Sequence, residues 1–221
     1  MTKVLGVRVD DVNLAEVLAK IAKEKLFIVT VNPEFVMLAQ DDLEFKNILN
    51  NADLAVADGM GLKLAGIKNI IPGRKLVAEL LKKPYKVFFL GGRGGVAEAM
   101  AKKFGGFFDE GENNISNLSN LTRNQEIVNK INKYKPDILL VAYGAPWQEK
   151  WIYANKNLLN AKVCIGVGGA FDYLAGRSAI PPEWVNRVGL EWLWRFVCEP
   201  WRWKRQLSLI RFIFAILKPL F

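Results

Sequence analysis

The chain has 221 residues, 31 Lys and Arg against 22 Asp and Glu for a formal net charge of +9, with 51% hydrophobic and 24% charged residues. This is the composition of a globular chain long enough for one sizeable domain plus an appendage, and it excludes disorder as the main state. Histidine is absent, which excludes Ser-His-Asp and Cys-His nucleophile systems and every zinc site that needs imidazole, leaving carboxylates, hydroxyls, lysine and arginine to carry any chemistry.

The opening MTKVLGVRVDD has no apolar core of signal-peptide length, and no uncharged apolar run reaches the roughly 18 residues of a spanning helix. A cytosolic protein, or one meeting a membrane from the cytosolic side, is expected. Cys164 and Cys198, in apolar segments, are expected to be buried free thiols of a reducing compartment. Strands are expected at residues 4–9, 27–32, 54–57, 86–90, 138–143 and 163–167. Helical spacing marks residues 13–25, 33–50, 75–83, 96–104, 122–134 and 147–159. Asn13 with Glu16 three residues on resembles a capping box, and Pro33 and Pro146 suit first-turn positions. Strand–helix alternation, with runs such as ILLVAYG and VCIGVGG apolar on both faces, argues for an α/β fold: a Rossmann-like, mainly parallel sheet covered by helices on both faces.

In such a sheet the turns that follow the strands share one rim, where α/β folds bind ligands and helix N-termini attract phosphate. Along that rim, Thr30 and Asn32 in TVNPEF offer neutral donors and acceptors suited to sugar hydroxyls, although Asn before Pro is also ordinary turn chemistry. Asp58 in ADGMG is either a general base reaching a rim-bound ligand or the cap of the next helix. Gly91-Gly92-Arg93-Gly94-Gly95, with a Gly-x-Gly-x-x-Ala spacing and Glu112 about twenty residues beyond, resembles a dinucleotide fingerprint, but its strand is fourth in the chain, so a loop approaching phosphate or ribose is the modest reading. Tyr143 and Gly144 end the next strand, and Gln148 follows in the first helical turn, reaching a ligand or solvent. Gly169 and Asp172 in GVGGAFDYLAG add a close-approach glycine and a carboxylate that accepts from a base or ribose, or caps its helix. Gly91, Gly92, Tyr143, Gly144, Gly169 and Asp172 are the expected nucleotide-facing set.

Residues 183–221 differ in kind from the core at 1–182. They hold five of the seven tryptophans and seven basic against three acidic residues. In WRWKRQLSLIRFIFAILKPLF, Lys204, Arg211 and Lys218 recur every seven residues among Leu, Ile and Phe. A basic helix with aromatic anchors suits an anionic membrane surface, while the plainer alternative is a core or dimerisation helix. The basic residues are otherwise scattered and carry no nucleic-acid motif, so no nucleic-acid partner is expected.

Taken together, TVNPEFV, ADGMG, VFFLGGRGGVAE, DILLVAYGAPWQEKW, IGVGGAFDYLAG, PPEWVNRVGLEWLWRF and EPWRWKR resemble the WecG/TagA/CpsF family of glycosyltransferases, glycosyltransferase family 26. The resemblance implies inverting, metal-independent transfer of an N-acetylmannosamine-type sugar from a UDP donor to undecaprenyl-diphosphate-linked N-acetylglucosamine, as in teichoic-acid-type cell-wall polymer synthesis. It places Asp58 as catalytic base, Thr30, Asn32 and Gln148 in the active-site pocket, and Arg195, Arg202 and Arg205 on an appendage that closes over the site at the inner leaflet of the cell membrane. There, forked guanidinium groups would neutralise the leaving diphosphate. No cofactor and no metal are implied, and a homo-oligomer is allowed. Where relatives carry Glu-Arg-Val, this chain reads Asn69-Ile70-Ile71 before Pro72-Gly73, with Arg74 the next cation; Trp147 replaces a common Lys and Gly94 a common Pro. The alternatives are an NAD-dependent oxidoreductase using the Gly91 to Gly95 loop and a non-catalytic membrane-associated scaffold.

Overall fold

The computed structural model describes residues 2–112, 121–179, 181–182, 185, 191–198 and 203–217, with backbone alone for 191–192, 195–196 and 203–206. The first expected strand is a hairpin. β1 (Thr2–Val4) pairs antiparallel with β2 (Val7–Val9) through Leu5-Gly6, whose φ values of 48° and 79° are those of a two-residue turn with both central residues left-handed. The alternating pattern of VLGVRV reads through that turn, because leucine rather than Asn or Asp precedes the glycine.

The central sheet holds β3 (Leu26–Val31), β4 (Leu54–Ala57), β5 (Val87–Gly91), β6 (Phe107–Asp109), β7 (Ile138–Ala142) and β8 (Val163–Gly166), all parallel, in the order β4-β3-β8-β7-β5-β6. Every residue of β3, β4, β5, β7 and β8 is buried, as in a sheet covered on both sides. One side is covered by the hairpin, α2 (Pro33–Asp41), α3 (Leu43–Asn50), α6 (Leu121–Tyr134), α7 (Trp147–Asn155) and Phe212 of the terminal helix. The other is covered by α1 (Leu14–Lys23), α4 (Gly73–Leu81), α5 (Val96–Phe104) and α8 (Ala170–Leu174). Two further helices, α9 (Glu191–Cys198) and α10 (Trp203–Leu217), end the described chain.

The capping box at α1 forms as the spacing predicts: Asn13 accepts from the Glu16 N–H at 3.0 Å, and Glu16 accepts from the Asn13 N–H at 2.8 Å. The single helix expected over 33–50 is two. Asp42 takes an extended conformation, ends α2, and caps α3 by accepting from the Phe45 N–H at 2.9 Å. β6, three residues after two glycines, is too short to show a period and was not expected. Both cysteines are free; Cys164 is buried, its thiol pushed up to about 12 by burial, whereas Cys198 is exposed, against the expectation of two buried thiols.

The hairpin is tied to the sheet by Asp10. Its carboxylate accepts from the Ala55 N–H at 3.0 Å and from both Nε and Nη2 of Arg8 at 3.0 and 2.8 Å, while Arg8 Nη1 donates to the Ala52 carbonyl at 2.8 Å. Asp10→Ala would strand a half-buried guanidinium and a buried N–H, an expected loss of about 3 kcal/mol. Urea unfolding would show it as a lower midpoint, and a loss under about 1 kcal/mol would mean the hairpin is held by apolar packing alone.

Candidate active site

β3 and β8 are neighbours, yet α2 leaves the end of β3 toward one side of the sheet and α8 leaves the end of β8 toward the other. Such a divergence opens a crevice at the carboxyl ends of the strands. A cleft lies there, and Thr30, Asn32, Asp58, Arg74, Gln148 and Gly169 are among the residues lining it.

Thr30 is 6% exposed, on the last turn of sheet before the rim and opposite Val56 of β4. Asn32 caps α2, its Oδ1 accepting from the Phe35 N–H at 2.9 Å, so what it can offer a ligand is its amide N–H₂. Asp58 follows the last residue of β4, and its N–H extends the ladder to the Val31 carbonyl at 2.6 Å. Its Oδ2 lies so close to Gly73 that a Cβ there would stand 3.3 Å from it and 3.6 Å from the Thr30 methyl. Glycine at 73 thus lets the α4 backbone approach the acid. α4 begins at that glycine with no side-chain cap, and Arg74 is the next residue. The positive end of a helix dipole and a guanidinium together suit a phosphate-bearing ligand.

Gln148 is 2% exposed, which sets aside solvent exposure; it lines the cleft and has a structural role besides. Its Oε1 accepts from the N–H groups of Gly144 at 3.1 Å and Gly168 at 2.9 Å, and its Nε2 donates to Glu149 Oε1 at 2.7 Å. The side chain joins the loop after β7 to the loop after β8, and Gly168 and Gly169 of the latter wall the cleft. Glu149 is wholly buried, and burial pushes its carboxyl up to about 7 against the lowering effect of the Gln148 bond, with the Glu34 carboxylate adding to the rise.

Of the expected set, Thr30, Asn32, Asp58, Gln148 and Gly169 come together in the cleft, and Gly91, Gly92, Tyr143, Gly144 and Asp172 lie elsewhere along the rim. Gly144 reaches the cleft through its bond to Gln148, and Asp172 lies in the first turn of α8. Tyr143 is wedged between Gly91 and Gly111, where added Cβ atoms would come within 2.7 Å and 2.4 Å of its ring carbons. Burial raises its hydroxyl well above the usual range, and that hydroxyl accepts from the Glu112 N–H at 3.4 Å. The glycine loop is held from behind, since Arg177 Nη1 donates to the carbonyls of Gly94 at 2.6 Å and Arg93 at 3.2 Å. At the start of α5 the Glu98 N–H is taken by the Glu110 carboxylate at 3.3 Å, where a dinucleotide's pyrophosphate would sit. That acid weighs against the oxidoreductase reading.

Arg195 lies in α9 and Arg205 in α10, while Arg202 lies outside the described residues. The terminal helix packs on α2: Leu209 Cδ1 would stand 3.1 Å, and Pro33 Cγ 2.7 Å, from a Cβ added at Gly61 in the short 3-10 helix Met60–Ala65, and Arg211 pairs with Asp41 at 3.2 Å. The terminal helix therefore packs beside α2, whose start, through Asn32, Glu34 and Phe35, lines the cleft. The motifs did not single out Glu34, Arg74 or Glu149. For Arg74 the signal was present as the next cation after the altered Glu-Arg-Val segment. For Glu149, between Gln148 and Lys150 in a first helical turn, nothing in the spacing marks burial. Among the described residues no group of three or more Cys, Asp or Glu is placed to hold a metal ion.

The sequence model of the Glycosyl transferase WecG/TagA/CpsF family matches residues 2–221. The chain is similar to the N-acetylglucosaminyldiphosphoundecaprenol N-acetyl-beta-D-mannosaminyltransferase of Bacillus subtilis (strain 168), 32% identical over 203 residues, 86% of this chain and 78% of that protein. Proteins of the same name from Bacillus spizizenii and Staphylococcus aureus (strain MRSA252) are 33% identical over 87% of this chain and 79% of theirs, and 30% identical over 97% and 91%.

Proposed function

The chain belongs to the WecG/TagA/CpsF family of glycosyl transferases, and from that membership we propose that it moves N-acetylmannosamine from a UDP donor to N-acetylglucosamine carried on undecaprenyl diphosphate. The observation that carries this reading is the meeting, in one cleft, of the Asp58 carboxylate with the start of α4 and Arg74. Asp58 takes the proton from the acceptor hydroxyl as its oxygen attacks the anomeric carbon. The bond to the UDP oxygen breaks on the opposite side, so configuration inverts, and the departing diphosphate carries the electron pair away. Arg74 and the α4 N–H groups are the fixed positive partners for that charge on the core, with Arg195, Arg202 and Arg205 assigned to complete the cation set from the appendage. Thr30 and the Asn32 amide are neutral partners for sugar hydroxyls. No metal is needed on this reading, because guanidinium and helix dipole supply the positive field.

Among the described residues no helix is long and apolar enough to cross a membrane. The acceptor proposed here is lipid-linked, so the protein must meet it at the surface of the cytoplasmic leaflet. The exposed side of the terminal helix carries Leu207, Ile210, Phe214 and Leu217, which suit an interfacial contact.

The test is transfer from UDP-N-acetylmannosamine to a short-chain lipid-diphosphate N-acetylglucosamine in the presence of EDTA, read as UDP release and product mass. Turnover undiminished by EDTA is expected. Failure with every UDP-N-acetylhexosamine would sink the reading, and activity lost in EDTA and restored by Mg²⁺ would remove its metal-free part.

A further inference from the structure

Glu149 is a buried ionisable group for which the transfer chemistry has no direct use. It is fully buried on α7, and among the described residues its Oε2 has no hydrogen-bond partner. A buried carboxyl kept in that condition is costly unless it serves an arrangement around it. Its Oε1 accepts from Gln148 Nε2 at 2.7 Å. The end of β8 is shaped around the pair: a Cβ on Gly166 would come 2.5 Å from Glu149 Oε1 and 2.8 Å from Gln148 Nε2.

The orientation of the Gln148 amide is over-determined. Its oxygen faces two N–H donors, Gly144 and Gly168, and its nitrogen faces the carboxyl oxygen. A flipped amide would set its N–H₂ against two donors and its oxygen against an acceptor. Of these partners, Glu149 is the side chain that fixes the nitrogen end. Resting on the transfer function proposed above, we infer that Glu149 is a positioning residue: its carboxyl holds the Gln148 amide in the orientation that locks the loops after β7 and β8 together and so sets the wall of the donor cleft.

The arrangement favours a proton on Glu149. Burial raises the carboxyl from an ordinary 4.5 to about 7; among the described residues the Glu34 carboxylate of α2 is the charge acting on it, also upward, while Gln148 and Gly166 are neutral. The native state then binds more protons than the unfolded chain between those two values. Stability from this group is fully present below about 4.5 and is lost as pH rises toward and through about 7. An ionised Glu149, with one oxygen bare in an apolar setting and Glu34 nearby, loosens the clamp.

Two variants decide the matter in the full-length protein. Glu149→Gln keeps a carbonyl oxygen for Gln148 and removes the titration; Glu149→Ala removes the acceptor. Hydrogen exchange at the Gly144 and Gly168 amides is expected to quicken at least tenfold in Glu149→Ala and to stay near wild type in Glu149→Gln. kcat/KM for the donor is expected to fall at least thirtyfold in the alanine variant, chiefly through KM, and to recover in the glutamine variant, which also lacks the wild-type decline above pH 7. Unchanged protection of both glycine amides in Glu149→Ala overturns the inference. Should that variant not fold, an alkaline decline persisting in Glu149→Gln overturns it, and its disappearance supports it. If wild type shows no transfer at all, the functional reading falls while the exchange rates still decide this one.

Discussion

Asp58→Ala is expected to lower kcat by about 10²- to 10⁴-fold while UDP affinity changes by less than about threefold. The magnitude is that of a positioned general base, roughly 3–5 kcal/mol of barrier. The split between kcat and affinity follows from where the residue stands. Its backbone is fixed by the sheet, through the N–H bond to Val31, and does not depend on the side chain. The carboxyl lies against Gly73 at the start of α4. Deleting it removes the proton acceptor and takes one negative charge away from an anionic ligand. Isothermal titration with UDP and single-turnover transfer measure the two quantities separately. A variant that keeps more than about a tenth of the wild-type rate would show that another group takes the proton, and Glu34, which also lines the cleft, would be the first to examine.

The parts of this architecture visible in the sequence were those governed by local period and turn chemistry. The five long strands are continuous apolar runs because both faces of the sheet are covered, and glycines follow all of them but β3, where Asn32-Pro33 makes the turn. Thr30, Asn32 and Asp58 could be placed together because parallel strands put their ends on one side. What escaped depends on contacts distant in sequence. The break at Asp42 is enforced by a cap that competes with helix continuation, and it is reinforced by Lys150 of α7, which meets Asp42 at 2.8 Å and Glu44 at 2.6 Å. Gln148 and Glu149 read as a polar first turn because their burial comes from β8 and the loops, not from their own helix. Arg74 was visible only as a cation near a gap in a motif, and the close approach at Gly73 is what puts it in the cleft. Residues 183–221 read as a separate membrane-facing appendage with a core helix as the plainer alternative, and Phe212, wholly buried in the same core cluster as α2, shows that the terminal helix has a packing face as well.

That double character makes the terminal helix the place where packing and membrane contact can be separated by experiment. Phe212 is 0% exposed, whereas Phe214, two residues on, is 70% exposed and shares its outward side with Leu207 and Ile210, at spacings of three and four residues. Deleting residues 195–221 is expected to abolish transfer, but it removes the arginines, the outward apolar side and the Phe212 anchor together. Triple replacement of Leu207, Ile210 and Phe214 by serine removes the outward side alone. These side chains contact solvent in the described structure, so the loss of folding stability should be below about 1 kcal/mol. Their apolar area is what an interfacial helix inserts, and binding follows that area. The triple variant is therefore expected to lose at least tenfold in binding to vesicles containing anionic lipid, and a similar factor in transfer to a vesicle-embedded acceptor. Its rate with a water-soluble short-chain acceptor should stay within about twofold of wild type. Phe212→Ala should show the reverse order, a stability loss of about 3–4 kcal/mol for a buried phenylalanine with vesicle binding retained in the folded fraction. If the triple variant bound vesicles as well as wild type, the outward apolar side would have to be assigned to something other than lipid, and the membrane contact would have to come from another part of the chain.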